Sequence, residues 1–149
     1  MKLAPLLLGA LILGTIGVPS CDKGTKTMSS KPSDTLPALA SELGVVFPPS
    51  TRLIGVQRDQ GGMDSAVFLK VEMAAAEFPA FLASTPLDAS AMRNGTRGFL
   101  GSDQGFWDPH RAARIRTGQA ILAGNRALNV GVDDSKPNVA VVYIVHHDT

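Results

Sequence analysis

Between Arg97 and Arg116 the chain reads RGFLGSDQGFWDPHRAARIR, which gathers the only tryptophan, two phenylalanines, four arginines and one of three histidines. Tryptophan and arginine are the residue types enriched at binding hot spots. A planar guanidinium also grips a carboxylate or phosphate through two parallel hydrogen bonds. Phe106, Trp107, His110, Arg111 and Arg114 are therefore the candidate ligand- or partner-binding residues. If Pro109 starts a short helix, Arg111 and Arg114 share one face of it, with His110 or Arg93 close by. Asp103 and Asp108 would offset part of that positive patch. Phe106 and Trp107 have a second placement, folded inward to plug an open face of a sheet, since a large aromatic in a small domain commonly supplies core.

Catalytic chemistry draws on the same stretch. Ser102, Asp103 or Asp108, and His110 supply the parts of a serine hydrolase, yet Gly101-Ser-Asp-Gln-Gly105 is not the G-x-S-x-G elbow that strains a serine outward. His146-His147-Asp148 offers metal-ligand types, but neighbours on a strand point to opposite faces and cannot share one ion. Asp133-Asp134 sits among Ser135 and Pro137, where turn chemistry accounts for it. Glu42, Glu72 and Glu77 are the only glutamates and fall on expected helix or strand surfaces, not as a catalytic pair. No Walker loop, dinucleotide fingerprint or H-E-x-x-H occurs. The reading for catalytic residues, metal and cofactor is thus none, with a small hydrolase using His110 with Asp103 or Asp108 as the alternative.

The elements that position these residues begin with a leader. Lys2 precedes an apolar run, Leu3 to Val18, broken by Pro5, Gly9, Gly14 and Gly17. That is shorter than the roughly 20 apolar residues of a membrane span and has the layout of a secretory signal. Val18-Pro19-Ser20-Cys21 then places a branched residue, a small residue and the chain's only cysteine in order. On those residues the leader resembles that of bacterial lipoprotein precursors. The resemblance implies cleavage before Cys21, diacylglycerol on its sulfur, an acylated new amino terminus, and a location in the cell envelope. The partner it implies is the membrane, through that lipid. It does not assign the inner or the outer membrane. Each buried CH₂ contributes about 0.8 kcal/mol, so two or three chains make a stable anchor.

Residues 21–34 follow as an acylated cysteine and a polar tether too poor in apolar groups to order itself. A coil of this length spans roughly 20 Å. Residues 35–149 then suit one small domain. Removing Lys2 with the leader leaves 13 of the 14 basic side chains against 13 acidic ones, which lacks the basic excess of a nucleic-acid binder. An envelope polymer or protein remains as partner, through phospholipid heads, peptidoglycan stem peptides or lipopolysaccharide. An inhibitor or immunity-type lipoprotein would use the same binding chemistry.

Within that domain the pattern predicts a helix over Leu36 to Leu43, with Pro37 in its first turn and Gly44 at its end. A hairpin follows, Arg52 to Arg58 and Ser65 to Met73, the second strand alternating Val67, Leu69, Val71 and Met73 with Ala66, Phe68, Lys70 and Glu72. Ala74 to Ala83 reads as helix with Phe78, Phe81 and Leu82 on one face. A second short helix is expected over Leu87 to Arg93, then a long glycine-rich segment, Asn94 to Gly124. Arg126 to Val132 and Asn138 to His146 close the chain as a hairpin around 133–137, its last strand apolar on both faces and hence central. The expected fold is α+β: hairpin, helix, hairpin, an antiparallel sheet of about four strands with helices packed on one face.

Overall fold

A computed structural model describes residues 34–59, 65–95, 100–101 and 103–148. The expected leader (1–20), Cys21 and all of the tether but Asp34 lie outside the described residues, as do Gly61-Gly62, Arg97 and Ser102. Six strands form one antiparallel sheet: β1 Arg52–Asp59, β2 Ala66–Ala74, β3 Arg93–Asn94, β4 Ile115–Leu122, β5 Arg126–Lys136 and β6 Val139–Asp148. Their spatial order is β1-β2-β6-β5-β4-β3. β6 lies between β2 and β5, where residues 140–145 are buried on both faces.

The four-stranded α+β layer expected from sequence is overturned. The sheet has six strands, and the two α-helices are short, α1 Leu36–Leu43 and α2 Phe78–Ala83, so the architecture is mainly β. Three local causes account for the difference. Gln119 and Gly118 dilute the alternation of β4, and Gly118 reads as a breaker. It is instead a strand residue kept bare because a Cβ there would lie 2.7 Å from Leu87 Cδ2 and 3.2 Å from Met92 Cγ. The helix expected over Leu87 to Arg93 is only a 3₁₀ turn, Ala89–Ala91, followed by β3. There the Asp88 carboxylate accepts from the Ser90 backbone N–H and hydroxyl, both at 2.8 Å, and competes with a longer helix. The expected turn at 133–137 shrinks, because β5 runs on to Lys136 through a bulge and leaves Pro137 and Asn138 to turn the chain.

α1 ends at Gly44, whose φ of +66° is the left-handed geometry that glycine adopts without cost. Its buried Leu39 and Leu43 are one turn apart and reach the sheet. Arg58 of β1 ties the helix down, forking to both Glu42 carboxylate oxygens at 2.6 and 2.7 Å and reaching Asp34 at 3.4 Å. That fork holds the Glu42 carboxyl below the ordinary glutamate range. α2 is preceded by a 3₁₀ turn, Ala75–Glu77, because Pro79 fits the first turn of a helix and not its interior. Phe78, Phe81 and Leu82 of α2 are buried, and Phe81 stacks on Phe47 with ring centroids 5.7 Å apart. These side chains cover one face of the sheet, over Leu69, Val71, Leu128, Val130, Val142 and Ile144. The opposite face is covered by no α-helix among the described residues. Leu100, Trp107 and Ala112 lie there against Phe68, Ile115, Tyr143 and Val145.

Candidate functional site

The second face is closed by the segment singled out in sequence. Gln104 and Trp107 exchange backbone hydrogen bonds of 2.6 and 2.9 Å around Gly105, whose φ is +59°. This tight turn drives Trp107 inward. Its side chain is 0 % exposed, its indole N–H donates to the Leu100 carbonyl at 2.9 Å, and its ring meets Phe68 and Tyr143 edge-on at 5.3 Å each. Trp107 therefore contributes to the core. Phe106 is half-buried and lies flat on Gly55 of β1, where a Cβ would stand 2.5 Å from its ring.

Beside the tryptophan, Lys70 of β2 points into the covered face with its side chain only 12 % exposed. It donates to Asp108 at 2.5 Å and to the Phe106 carbonyl at 3.2 Å, and its ammonium lies 5.2 Å from the centre of the Tyr143 ring. The Tyr143 hydroxyl donates to the same Asp108 oxygen at 2.9 Å. Burial, then the Asp108 carboxylate, pushes the Tyr143 phenol well above its ordinary range, so it stays a donor. Lys70, Asp108 and Tyr143 thus latch the loop to the sheet. The alternation in sequence put Lys70 and Phe68 on the face opposite Val67, Leu69, Val71 and Met73. An aromatic sharing that face with the lysine was the signal that something covers it.

The outward side of the loop carries the remaining candidates. Pro109–Arg111 form a 3₁₀ turn that ends at Ala112. Asp103 accepts the His110 backbone N–H at 2.9 Å and faces His110 Nδ1 at 3.0 Å through one oxygen; Arg111 Nε lies 3.9 Å from the other. The His110 backbone N–H lowers the Asp103 carboxyl below the usual range against the opposing effect of burial, and the His110 side chain adds to the lowering. His110 and Arg111 are exposed, the Arg111 side chain at 82 %. Arg114 does not join them on a helix face, because the turn stops before it. Its Nε donates to Asp134 Oδ1 at 2.7 Å, and Arg116 reaches Asp134 Oδ2 at 3.0 Å. Arg93 donates to the Ser90 and Met92 carbonyls. The five candidate residues thus divide into two that close the core, two on the loop's outer tip around Asp103, and one paired to β5.

His146 and His147 point to opposite faces. His147 Nε2 accepts from Asn129 Nδ2 at 3.2 Å, and its Nδ1 lies 2.9 Å from the Asp148 carbonyl. Burial lowers the His146 imidazole below its ordinary value. Among the described residues no three His, Cys, Asp or Glu side chains converge as metal ligands, and no helix is long and apolar enough to cross a membrane. Comparison with protein-family models, curated proteins and solved structures finds no match.

Proposed function

We propose that this is a lipid-anchored cell-envelope protein whose sheet domain is a non-catalytic binding module, with Asp103, His110 and Arg111 as its contact surface. The observation carrying the reading is the division of one short loop into two sides. Trp107 and the Lys70–Asp108–Tyr143 latch fix its inner side, while its outer side holds an imidazole and a guanidinium exposed around one carboxylate. A tip held in place loses little entropy on binding, which favours recognition by a few polar contacts. The anchor rests on Val18, Ser20 and Cys21.

Two experiments test this. Cells fed labelled palmitate should acylate the wild-type chain and not Cys21→Ser; label on both removes the anchor. A His110→Ala/Arg111→Ala variant with an unchanged circular dichroism spectrum should lose binding to peptidoglycan stem peptides or lipopolysaccharide. Undiminished binding would remove the site.

The His110–Asp103 geometry favours one other reading, a hydrolase. A carboxylate at Nδ1 is the arrangement that orients an imidazole as a general base, and Asp108 is already committed to Lys70 and Tyr143. Undiminished ester turnover in His110→Ala would eliminate it.

A further inference from the structure

The two edges of the sheet are built differently. β1 carries a bulge between Leu53 and Gly55 and the charged residues Arg52, Arg58 and Asp59, devices that discourage another strand from pairing. On the other side β3 contributes only two residues, Arg93 opposite Thr117 and Asn94 opposite Arg116. Beyond Thr117, no strand among the described residues lies along the outer side of β4. That stretch, Gly118-Gln119-Ala120-Ile121-Leu122, has no charge, no proline and no bulge, and Ile121 is 70 % exposed.

The ladder fixes which backbone groups face outward. The Gly95 N–H bonds to the Ile115 carbonyl at 3.0 Å, so odd-numbered β4 residues direct their N–H and C=O toward the β3 side. Gln119 and Ile121 therefore present the donors and acceptors that a further strand would take. Met92 does not run along this edge. Its Cα lies 3.9 Å from where a Gly118 Cβ would stand, above the helix-covered face.

We infer that β4 pairs antiparallel with β4 of a second copy of this chain, about a twofold axis through Ala120. The stretch is self-complementary in that register. Gln119 falls opposite Ile121 of the partner and Ile121 opposite its Gln119, so both outward-facing residues of each strand form hydrogen-bonded pairs. A small side chain sits at the axis, where the strands approach closest. Leu122 of each copy ends the pairing near Gly118 of the other, because Arg93 already holds the place opposite Thr117, and no like charges meet within the paired stretch. A closed twofold contact of this kind uses the same patch on both copies and ends there. Five residues a side bury less than a standard interface, so the pairing is weak and depends on concentration. The inference is independent of the binding tip proposed above.

Residues at the axis test it. Ala120 is a non-hydrogen-bonded position, which puts the two Ala120 Cα atoms at about 4.5 Å, within disulfide reach. In the full chain carrying Cys21→Ala, Ala120→Cys should oxidise mostly to a covalent dimer under mild copper-phenanthroline treatment. Ser50→Cys, exposed in the turn before β1, should remain largely monomeric. Ile121→Lys added to Ala120→Cys should abolish the dimer while leaving the melting curve of the monomer unchanged. No cross-link at Ala120→Cys, equal cross-linking at Ser50→Cys, or persistence of the dimer with Ile121→Lys would each overturn the inference. Capture of another protein's strand in place of a second copy would do so too.

Discussion

At the scale of single residues, the tryptophan decides what kind of surface the 100–112 segment offers. Its ring is enclosed by Phe68 and Tyr143, so Trp107 emission should be blue-shifted and shielded from iodide. Trp107→Ala should lower stability in urea by about 3–5 kcal/mol, the usual cost of removing a buried large aromatic. A loss below about 1 kcal/mol would place the ring outside the core, since surface changes seldom cost more. Gly55 is the complementary case. Gly55→Ala drives a methyl group into the Phe106 ring and should cost about 1–3 kcal/mol. The same change in a Phe106→Ala background should cost far less, a coupling that a double-mutant cycle reads directly. Sequence composition marked this stretch as important but left Trp107 with two placements. A tryptophan in a glycine-rich loop has no periodicity to say which way it points; the turn at Gly105 settles it only in three dimensions.

At the scale of elements, what was legible depended on whether an element's own residues carried its pattern. α1 carries Pro37, a buried Leu39–Leu43 pair and Gly44 within itself, and its limits coincide with those expected. β2 carries its alternation and β6 its run of apolar residues on both faces, and each was placed from that pattern. β4 was missed because its pattern is completed by other elements. Gly118 makes sense only with Leu87 and Met92 on top of it, and Thr117 is buried by packing that no local window contains. The latch was hidden for the same reason, since Lys70, Asp108 and Tyr143 come from three separated segments. Hydrogen bonds to charged groups contribute about 1.5–3 kcal/mol, so Lys70→Met should destabilise the protein by roughly that amount. Hydrogen exchange should localise the effect. Amides of 103–112 should lose protection before those of β2 and β6. Uniform loss across the sheet would mean that Lys70 supports the strands and not the loop.

At the scale of the whole molecule, one imidazole, His146, and a set of carboxylates held low, Glu42 with Asp88, Asp103, Asp134 and Asp148, shape the response to acid. Burial, reinforced by Arg126 and His147 and opposed by Asp148 and Glu42, keeps the folded His146 imidazole below the value of 6.5 it has when unfolded. The unfolded chain therefore takes up this proton first, and stability falls as pH drops from about 7 through the folded value, then levels. Glu42 is depressed by Arg58, so its contribution is present above the ordinary glutamate range and is lost at lower pH, as its carboxylate protonates. Melting temperature against pH should fall in two stages, and His146→Gln should remove the upper one alone. An unchanged upper stage in that variant would assign it to another group.

The placement of β6 has a consequence in time. It follows every other strand among the described residues, yet it stands between β2 and β5, and the β1–β2 and β4–β5 hairpins share no ladder without it. Synthesis from the amino terminus thus delivers two separate ribbons first, and two-stranded ribbons are at best marginally stable in water. The sheet can assemble only once residues 139–148 have been made, by pairings such as Ala66 with His147 that span most of the domain. Such distant closures are slow. The domain therefore stays unfolded until residues 139–148 have left the ribosome, the state that export to the envelope location proposed above would need.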